Sequence, residues 1–544
     1  MHHLAANDEQ ILPQGAHRNF MDGVSFQVSD PVTRLRMMAA SCFFREPTYY
    51  GEASAREDLS RSEFFDSRLQ ETLGEVEDAA VRALPRGAAL ERTIDEALAV
   101  DAEATLKVAA VLRNEDLIRV TPQVIMVRAA HHPAVRGTGL VRKYAPEIIS
   151  RGDEPALQLA YHNATYVREN GKPAPIPNAL KKAWADYLSQ ASAYTLGKYR
   201  KLDGDSKTVD VVNVCRPKSD AVGLLVKGEL KPQGRTWESL ISAKGASEET
   251  WREAYGKFLR HPEGHMALLR NLRNLEKFKL LDEGVLESLR NGAAQGKQLP
   301  FRYHSAYQAM KGVGARQDVL DAIEHCLHAS LNTLPRLPGR VMSLADNSGS
   351  AHGAFTSDNG KVTVSTIANL TAVLTGFMAG EEGWVGVFGD ELRRYQVDTA
   401  RSAIAQQDEV QALAGGVGQG TENGIWLFFR EAMERKEHWD HIFIYSDEQA
   451  GYGGLYGCNP REYHEYGWDE PGDRYIDVPS LIKAYREQVN PNVMVYLVQM
   501  AGYSDSLVPE HYDKTVLLGG WSGSILRYAS RMYEVMGSQG STSR

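Results

Sequence analysis

The feature that most constrains this chain is a change of texture near residue 335. From Val32 to Leu334 apolar residues recur at spacings of three and four, with almost no alternation of period two. The runs Leu35-Arg36-Met37-Met38-Ala39-Ala40, Ala89-Leu90-x-x-Thr93-Ile94-x-x-Ala97-Leu98 and Ala267-Leu268-Leu269-Arg270-Asn271-Leu272 are representative. Pro122, Pro133, Gly171-Lys172-Pro173 and Pro262-Glu263-Gly264 read as stops between helices. Some 300 residues of short helices fit one four-helix bundle poorly and fit stacked helical pairs, a solenoid of the HEAT type, better.

Beyond Leu334-Pro335-Arg336-Leu337-Pro338-Gly339 short apolar runs alternate with amphipathic stretches. Val341–Ala345, Trp384–Phe388, His441–Tyr445, Val493–Val498 and Thr515–Leu518 read as strands, and Thr366–Met378 and Gly424–Arg435 as helices. Continuous apolar strands separated by helices are what a doubly wound α/β sheet requires, because both of its faces are covered. The expected fold class is multidomain: an α-helical repeat part followed by a doubly wound, Rossmann-like α/β domain. The expected boundaries are a tail over 1–24, helical repeats over 25–335 and the α/β domain over 336–544.

Composition narrows the function. Lys and Arg number 61 against 70 Asp and Glu, a net charge of −9, which excludes a surface coated with nucleic-acid-binding charge but allows a local basic face. Four cysteines without a CxxC pair argue against a disulfide scaffold and a structural zinc site. The first residues lack a basic segment followed by an apolar run, and no stretch reaches the ~18 apolar residues of a membrane helix. A cytoplasmic protein without a membrane partner is expected.

The sharpest motif is Asp346-Asn347-Ser348-Gly349-Ser350, directly after the first strand of the α/β part. In such sheets ligands bind beyond the carboxyl ends of the strands. A carboxylate and two hydroxyls at i, i+2 and i+4 suit Mg²⁺, although Asp and Ser also crowd turns and helix caps. Thr421 at the opening of a helix and Asp447 after the strand His441–Tyr445 can add a hydroxyl and a second carboxylate.

This set resembles the metal-ion-dependent adhesion site of a von Willebrand factor A domain, with Asp346, Ser348, Ser350, Thr421 and Asp447 as its members. The helical part resembles the TROVE module of the Ro family. The matching segments are Phe43-Phe44-Arg45-Glu46-Pro47-Thr48-Tyr49-Tyr50, Leu117-Ile118-Arg119-Val120-Thr121-Pro122-Gln123 and Ala179-Leu180-Lys181-Lys182-Ala183-Trp184-Ala185-Asp186-Tyr187. Lys198-Tyr199-Arg200-Lys201 and Met266–Leu272 continue the match in the family's order. The resemblance spans about residues 25–535 and implies a bacterial-type Ro protein, a HEAT-repeat ring closed by an A domain. It further implies a divalent cation, Mg²⁺, small noncoding Y-type RNA on the outer face, single-stranded RNA ends in the ring hole, and a monomer. A role in noncoding-RNA quality control or as a tether to an exoribonuclease follows; neither DNA binding nor catalysis does.

The residues support RNA binding in part. Between Lys181 and Glu238 eleven Lys or Arg face seven Asp or Glu, a basic segment in an acidic chain. Lys181, Lys182, Lys198, Arg200, Lys201, Arg216 and Lys218 are the candidate RNA contacts. Where the family has Ser-His-Pro-Lys at its RNA-contacting surface, this chain has Cys215-Arg216-Pro217-Lys218, and Leu202-Asp203-Gly204-Asp205 is acidic beside that track. The long Gly451–Tyr475 segment after Asp447 reads as a lid or a base-stacking loop, or as an insertion. Gly415–Gly420 lacks the Gly-Lys-[Ser/Thr] ending of a P-loop, His131, His132 and His325 lack a spaced partner set, and no Ser-His-Asp order stands out. The competing reading is a protein-interaction scaffold in which the A-domain metal grips a partner's carboxylate.

Overall fold

The computed structural model describes residues 16–18, 24–28, 30–41, 86–116, 118–200, 206–230, 236–296, 298, 300–332, 334–353, 363–418, 422–447, 478–500, 505–506, 514–520 and 523–538. The Phe43–Tyr50 motif, Leu117, Lys201, the Leu202–Asp205 segment, Thr421 and the Gly451–Tyr475 loop lie outside these residues.

The strands, in chain order, are β1 (Ala16–Arg18), β2 (Val24–Gln27), β3 (Val341–Asp346), β4 (Gly383–Phe388), β5 (Leu392–Val397), β6 (His441–Ser446), β7 (Met494–Gln499), β8 (Asp505–Ser506) and β9 (Thr515–Gly519). Everything described between residues 86 and 332 is helix or connecting loop. The sequence-level expectation of a helical part followed by an α/β domain therefore holds. Pro122, expected to stop a helix, instead lies in the first turn of Thr121–His131, where its missing N–H costs nothing.

The helical part has two separate cores. The first runs from Leu35 to Leu230 and is built around Leu106, Ile125, Trp184 and Leu196. The second begins at Trp251 and continues without a break into one face of the sheet. There the helices Pro300–Gly312 and Gln317–Leu331 abut Ala403–Ala414: His304 meets Gln407 at 3.1 Å and Lys311 meets Asp408 at 3.3 Å.

The six-stranded sheet has the order β5-β4-β3-β6-β7-β9, parallel except for β5. Side chains of β3 alternate between its faces. Val341 and Ala345 join the helices Val364–Gly376 and Ala403–Ala414, whereas Met342 and Leu344 join Glu422–Glu434 and Val478–Gln488. Because both faces are covered, β3, β6 and β7 are buried throughout, which accounts for their unbroken apolar runs. The edge strand β5, Leu-Arg-Arg-Tyr-Gln-Val, is only partly buried and lacks that signal.

The N-terminal helix Pro31–Ser41 ties the two ends of the chain together. Leu35, Met38 and Ala39 enter the first helical core, while Met37 enters the sheet core with Val28. Arg36 pairs with Asp116 and Arg34 with Glu96. The Met37 carbonyl lies so close to Gly519 at the end of β9 that a side chain there would collide with it. β2 also pairs with β8, Phe26 opposite Ser506, so an N-terminal strand is stitched to the C-terminal part. The α/β domain thus touches both the first and the last helices of the helical part.

Candidate functional site

β3 and β6 are parallel neighbours with Ala345 opposite Tyr445, and the strand order runs outward from them in opposite directions. The crevice past their carboxyl ends is the topological switch point of the sheet. Asp346 ends β3 and Ser446 ends β6, so Asp346, Ser348, Ser446 and Asp447 converge there, all of them buried.

The Asp346 carboxylate is held at both oxygens. The Ser348 N–H donates to Oδ1 at 2.8 Å and the Ser446 hydroxyl donates to Oδ2 at 2.5 Å. Burial raises the pKa of Asp346 above the usual carboxylate range, opposed by hydrogen bonds from Ser446 and Ser348. Beside it, the Gln499 amide donates to the Asp447 carbonyl at 2.8 Å, bracing the loop after β6 against the end of β7.

A second layer fixes the loop after β3. The Asn347 N–H donates to the Phe388 carbonyl at 2.8 Å, and its side-chain amide exchanges hydrogen bonds with Asn369 at 2.8 and 2.9 Å. Asn369 also donates to Gln411 at 3.0 Å. These side chains link the loop to the helices Val364–Gly376 and Ala403–Ala414.

Two buried carboxylates with serine hydroxyls form an all-oxygen donor set, of the kind that could hold a hard dication. Asp346, Ser348 and Asp447 are the described residues that can supply it. The backbone of Ser350 lies in the short helix Gly349–Gly353, and its side chain and Thr421 fall outside the described residues. Sequence reasoning did not single out Ser446, Gln499, Asn347 or Asn369 as site members. Asn369 alone carried a signal, an amide in the middle of an apolar helix.

The basic candidates occupy the first helical core's outer layer. Lys182, Lys198, Arg216 and Lys218 are exposed, Lys181 and Arg200 half-buried. Arg216 caps the helix Thr208–Cys215 with a positive φ of 49°, and the Lys218 N–H donates to Ser189 at 3.1 Å. This sets Arg216 and Lys218 at the carboxyl end of the helix Asn178–Gln190, about 10 Å along its axis from Lys182 at 1.5 Å per residue. Arg200 is used internally: its guanidinium donates to the Leu230 carbonyl.

No family model matches the sequence, and no curated protein does. Among solved structures the chain is similar to the crystal structure of the Deinococcus radiodurans Ro (RSR) protein, at 14% identity and a TM-score of 0.52, over 92% of this chain and 98% of that one. That protein belongs to the family the sequence motifs resemble. The chain therefore has the fold of a bacterial Ro protein, helical repeats followed by an A-type α/β domain, along almost its whole length.

Proposed function

We propose that this chain is a Ro-type RNA-binding protein without catalytic activity of its own. Its basic outer layer around Lys198, Arg216 and Lys218 binds structured small noncoding RNA of the Y type, and the ring accepts single-stranded ends of misfolded RNA, with an exoribonuclease as a protein partner. The observation that carries this reading is the whole-length likeness in fold to a Ro protein. It gains support from four exposed cations, Lys182, Lys198, Arg216 and Lys218, within one packed group of helices in a chain of net charge −9. Phosphate contacts need such local charge whatever the overall balance.

In the same reading Asp346, Ser348 and Asp447, with Ser350 and Thr421, hold one Mg²⁺-type ion, which supplies an electrophilic docking point. Among the chain's own residues, the Ser446 hydroxyl and the Ser348 N–H orient the Asp346 carboxylate that would hold such an ion, and Asn347 with Asn369 keeps the loop in place. Purification of the untagged protein at low salt tests the RNA assignment. Copurifying nucleic acid that ribonuclease removes and deoxyribonuclease leaves is expected. A preparation free of nucleic acid that also fails to bind structured small RNA leaves the scaffold reading instead.

A further inference from the structure

The exposed large apolar side chains of the described residues are few, and three of the seven lie on two helices that pack together. Tyr194 on Ala193–Tyr199 is 47% exposed, and Leu224 and Val226 on Asp220–Val226 are 39% and 54% exposed. Burial explains the rest of both helices: Leu196 is enclosed in the first helical core with Ala221, Val222 and Leu225. The exposed three remain without a packing reason.

Cations alternate with aromatic rings around the helix Ala193–Tyr199. The Arg151 guanidinium lies 4.5 Å from the Tyr199 ring centroid, and Lys198 Nζ lies 5.1 Å from Tyr199 and 5.7 Å from Tyr194. Arg151 is committed to Asp153, at 3.1 Å. Lys198 forms no ion pair among the described residues; its ammonium donates to the Tyr194 hydroxyl at 3.4 Å. Lys227, one residue past Val226, is also exposed. A half-exposed tyrosine ring beside a lysine that carries no ion pair among the described residues matches what an unpaired nucleotide requires: a platform for the base and a charge for its phosphate. A duplex buries its base faces and has no use for the ring.

We infer that Tyr194 is a base-stacking residue, with Lys198 as its phosphate partner, and that the surface of helices Ala193–Tyr199 and Asp220–Val226 takes an unpaired nucleotide of RNA. This rests on the RNA-binding reading above and adds a requirement for single-stranded character that phosphate contacts alone do not impose. Ser192 caps the start of that helix, its side chain accepting from the Thr195 N–H at 3.0 Å, which fixes the backbone that carries Tyr194.

The test uses the full chain, a short single-stranded RNA carrying 2-aminopurine, and an RNA duplex of equal length. Tyr194→Ala is expected to weaken the single strand about tenfold, on the scale of one lost base–aromatic stack, and to remove the fluorescence quenching that stacking produces. Tyr194→Phe keeps the ring and is expected to retain both, and duplex affinity should not change. Lys198→Gln should weaken binding and flatten its salt dependence by about 0.7 in log–log slope. Circular dichroism of the variants, all at exposed positions, confirms their folding. Unchanged single-strand affinity and quenching in Tyr194→Ala, or equal losses for duplex and single strand, overturn the stacking role while RNA binding by the wild type stands. A wild-type protein that binds neither RNA overturns both.

Discussion

The Ser446 hydroxyl donates to Oδ2 of Asp346 at 2.5 Å, joining the last residues of the two parallel strands that flank the switch point of the sheet. The contact orients a fully buried carboxylate toward the crevice it shares with Asp447. Buried charge of this kind is costly without a compensating cation, and that cost makes the metal assignment testable through stability.

Asp346→Asn keeps a side chain that can satisfy Ser348 and Ser446 but removes the charge. In metal-free buffer the variant is expected to melt a few degrees above the wild type, since about 1 kcal/mol moves Tm by roughly 2–4 °C at domain sizes of 150–250 residues. With Mn²⁺ or Mg²⁺ at a hundredfold its dissociation constant, the wild type should gain about 2.7 kcal/mol and the variant nothing. Equal metal-dependent stabilisation of the two proteins would remove Asp346 from the ligand set.

Asn369 braces the loop after β3 from outside the donor set. Replacing it by Leu leaves the Asn347 amide in a buried position without its exchange partner, at a cost of about 1–3 kcal/mol. Metal affinity measured by calorimetry should fall roughly tenfold, the usual scale for loss of an outer-layer support. Wild-type affinity in a destabilised but folded variant would show that the loop holds its shape without the amide pair.

Gly519→Ala probes the closure between the N-terminal helix and the sheet. The added methyl has no room against the Met37 carbonyl, so Pro31–Ser41 must shift away from the end of β9. Overpacking of this kind costs about 1–3 kcal/mol. Hydrogen exchange is expected to accelerate over residues 31–41 while the helix Asn178–Gln190 keeps its protection. Uniform exchange rates would mean that the helix does not depend on that contact.

Histidines held below their ordinary value set an acid limit on stability, and His265 and His441 are the most deeply buried of them. Burial holds His265 and His441 down at about 4, well below the ordinary value of 6.5. Both are neutral in the folded chain, whereas the unfolded chain takes up a proton on each near pH 6.5. Their contribution is complete above about pH 6.5 and is lost as the pH falls toward 4. Urea unfolding should therefore show lower stability at pH 5 than at pH 7. His441→Gln, which can still meet Tyr496 and the Pro338 carbonyl, should reduce that difference. Equal stability at the two pH values would contradict the burial of these rings.

Much of this architecture was legible in the sequence because its signals are local. The unbroken apolar runs that mark β3, β6 and β7 follow from burial on both faces, and each was placed within a residue or two of its observed limits. The Asp346-x-Ser348 spacing and the position of Asp447 after a strand likewise placed two carboxylates at one sheet edge. Partners set by long-range packing were not legible. Ser446 and Gln411 look ordinary along the chain, and even Asn369, an amide within an apolar helix, acquires its role only when neighbouring strands and helices bring it to the loop after β3. The contact between Met37 and Gly519 spans nearly the whole chain and leaves no periodic trace. The half-exposed edge strand β5 carries too few apolar residues to announce itself.

Titration of a structured small RNA against the full chain over a salt series tests the central claim most directly. Binding at low salt with a steep negative slope of log affinity on log salt is expected, and Lys198→Ala with Arg216→Ala should flatten that slope by about two units, roughly one for each lost phosphate contact. The double variant should stay folded and keep its metal response, because both side chains are exposed and lie in the helical part rather than at Asp346. No binding at low salt, or an affinity that salt does not change, would contradict the assignment of this chain as an RNA-binding protein.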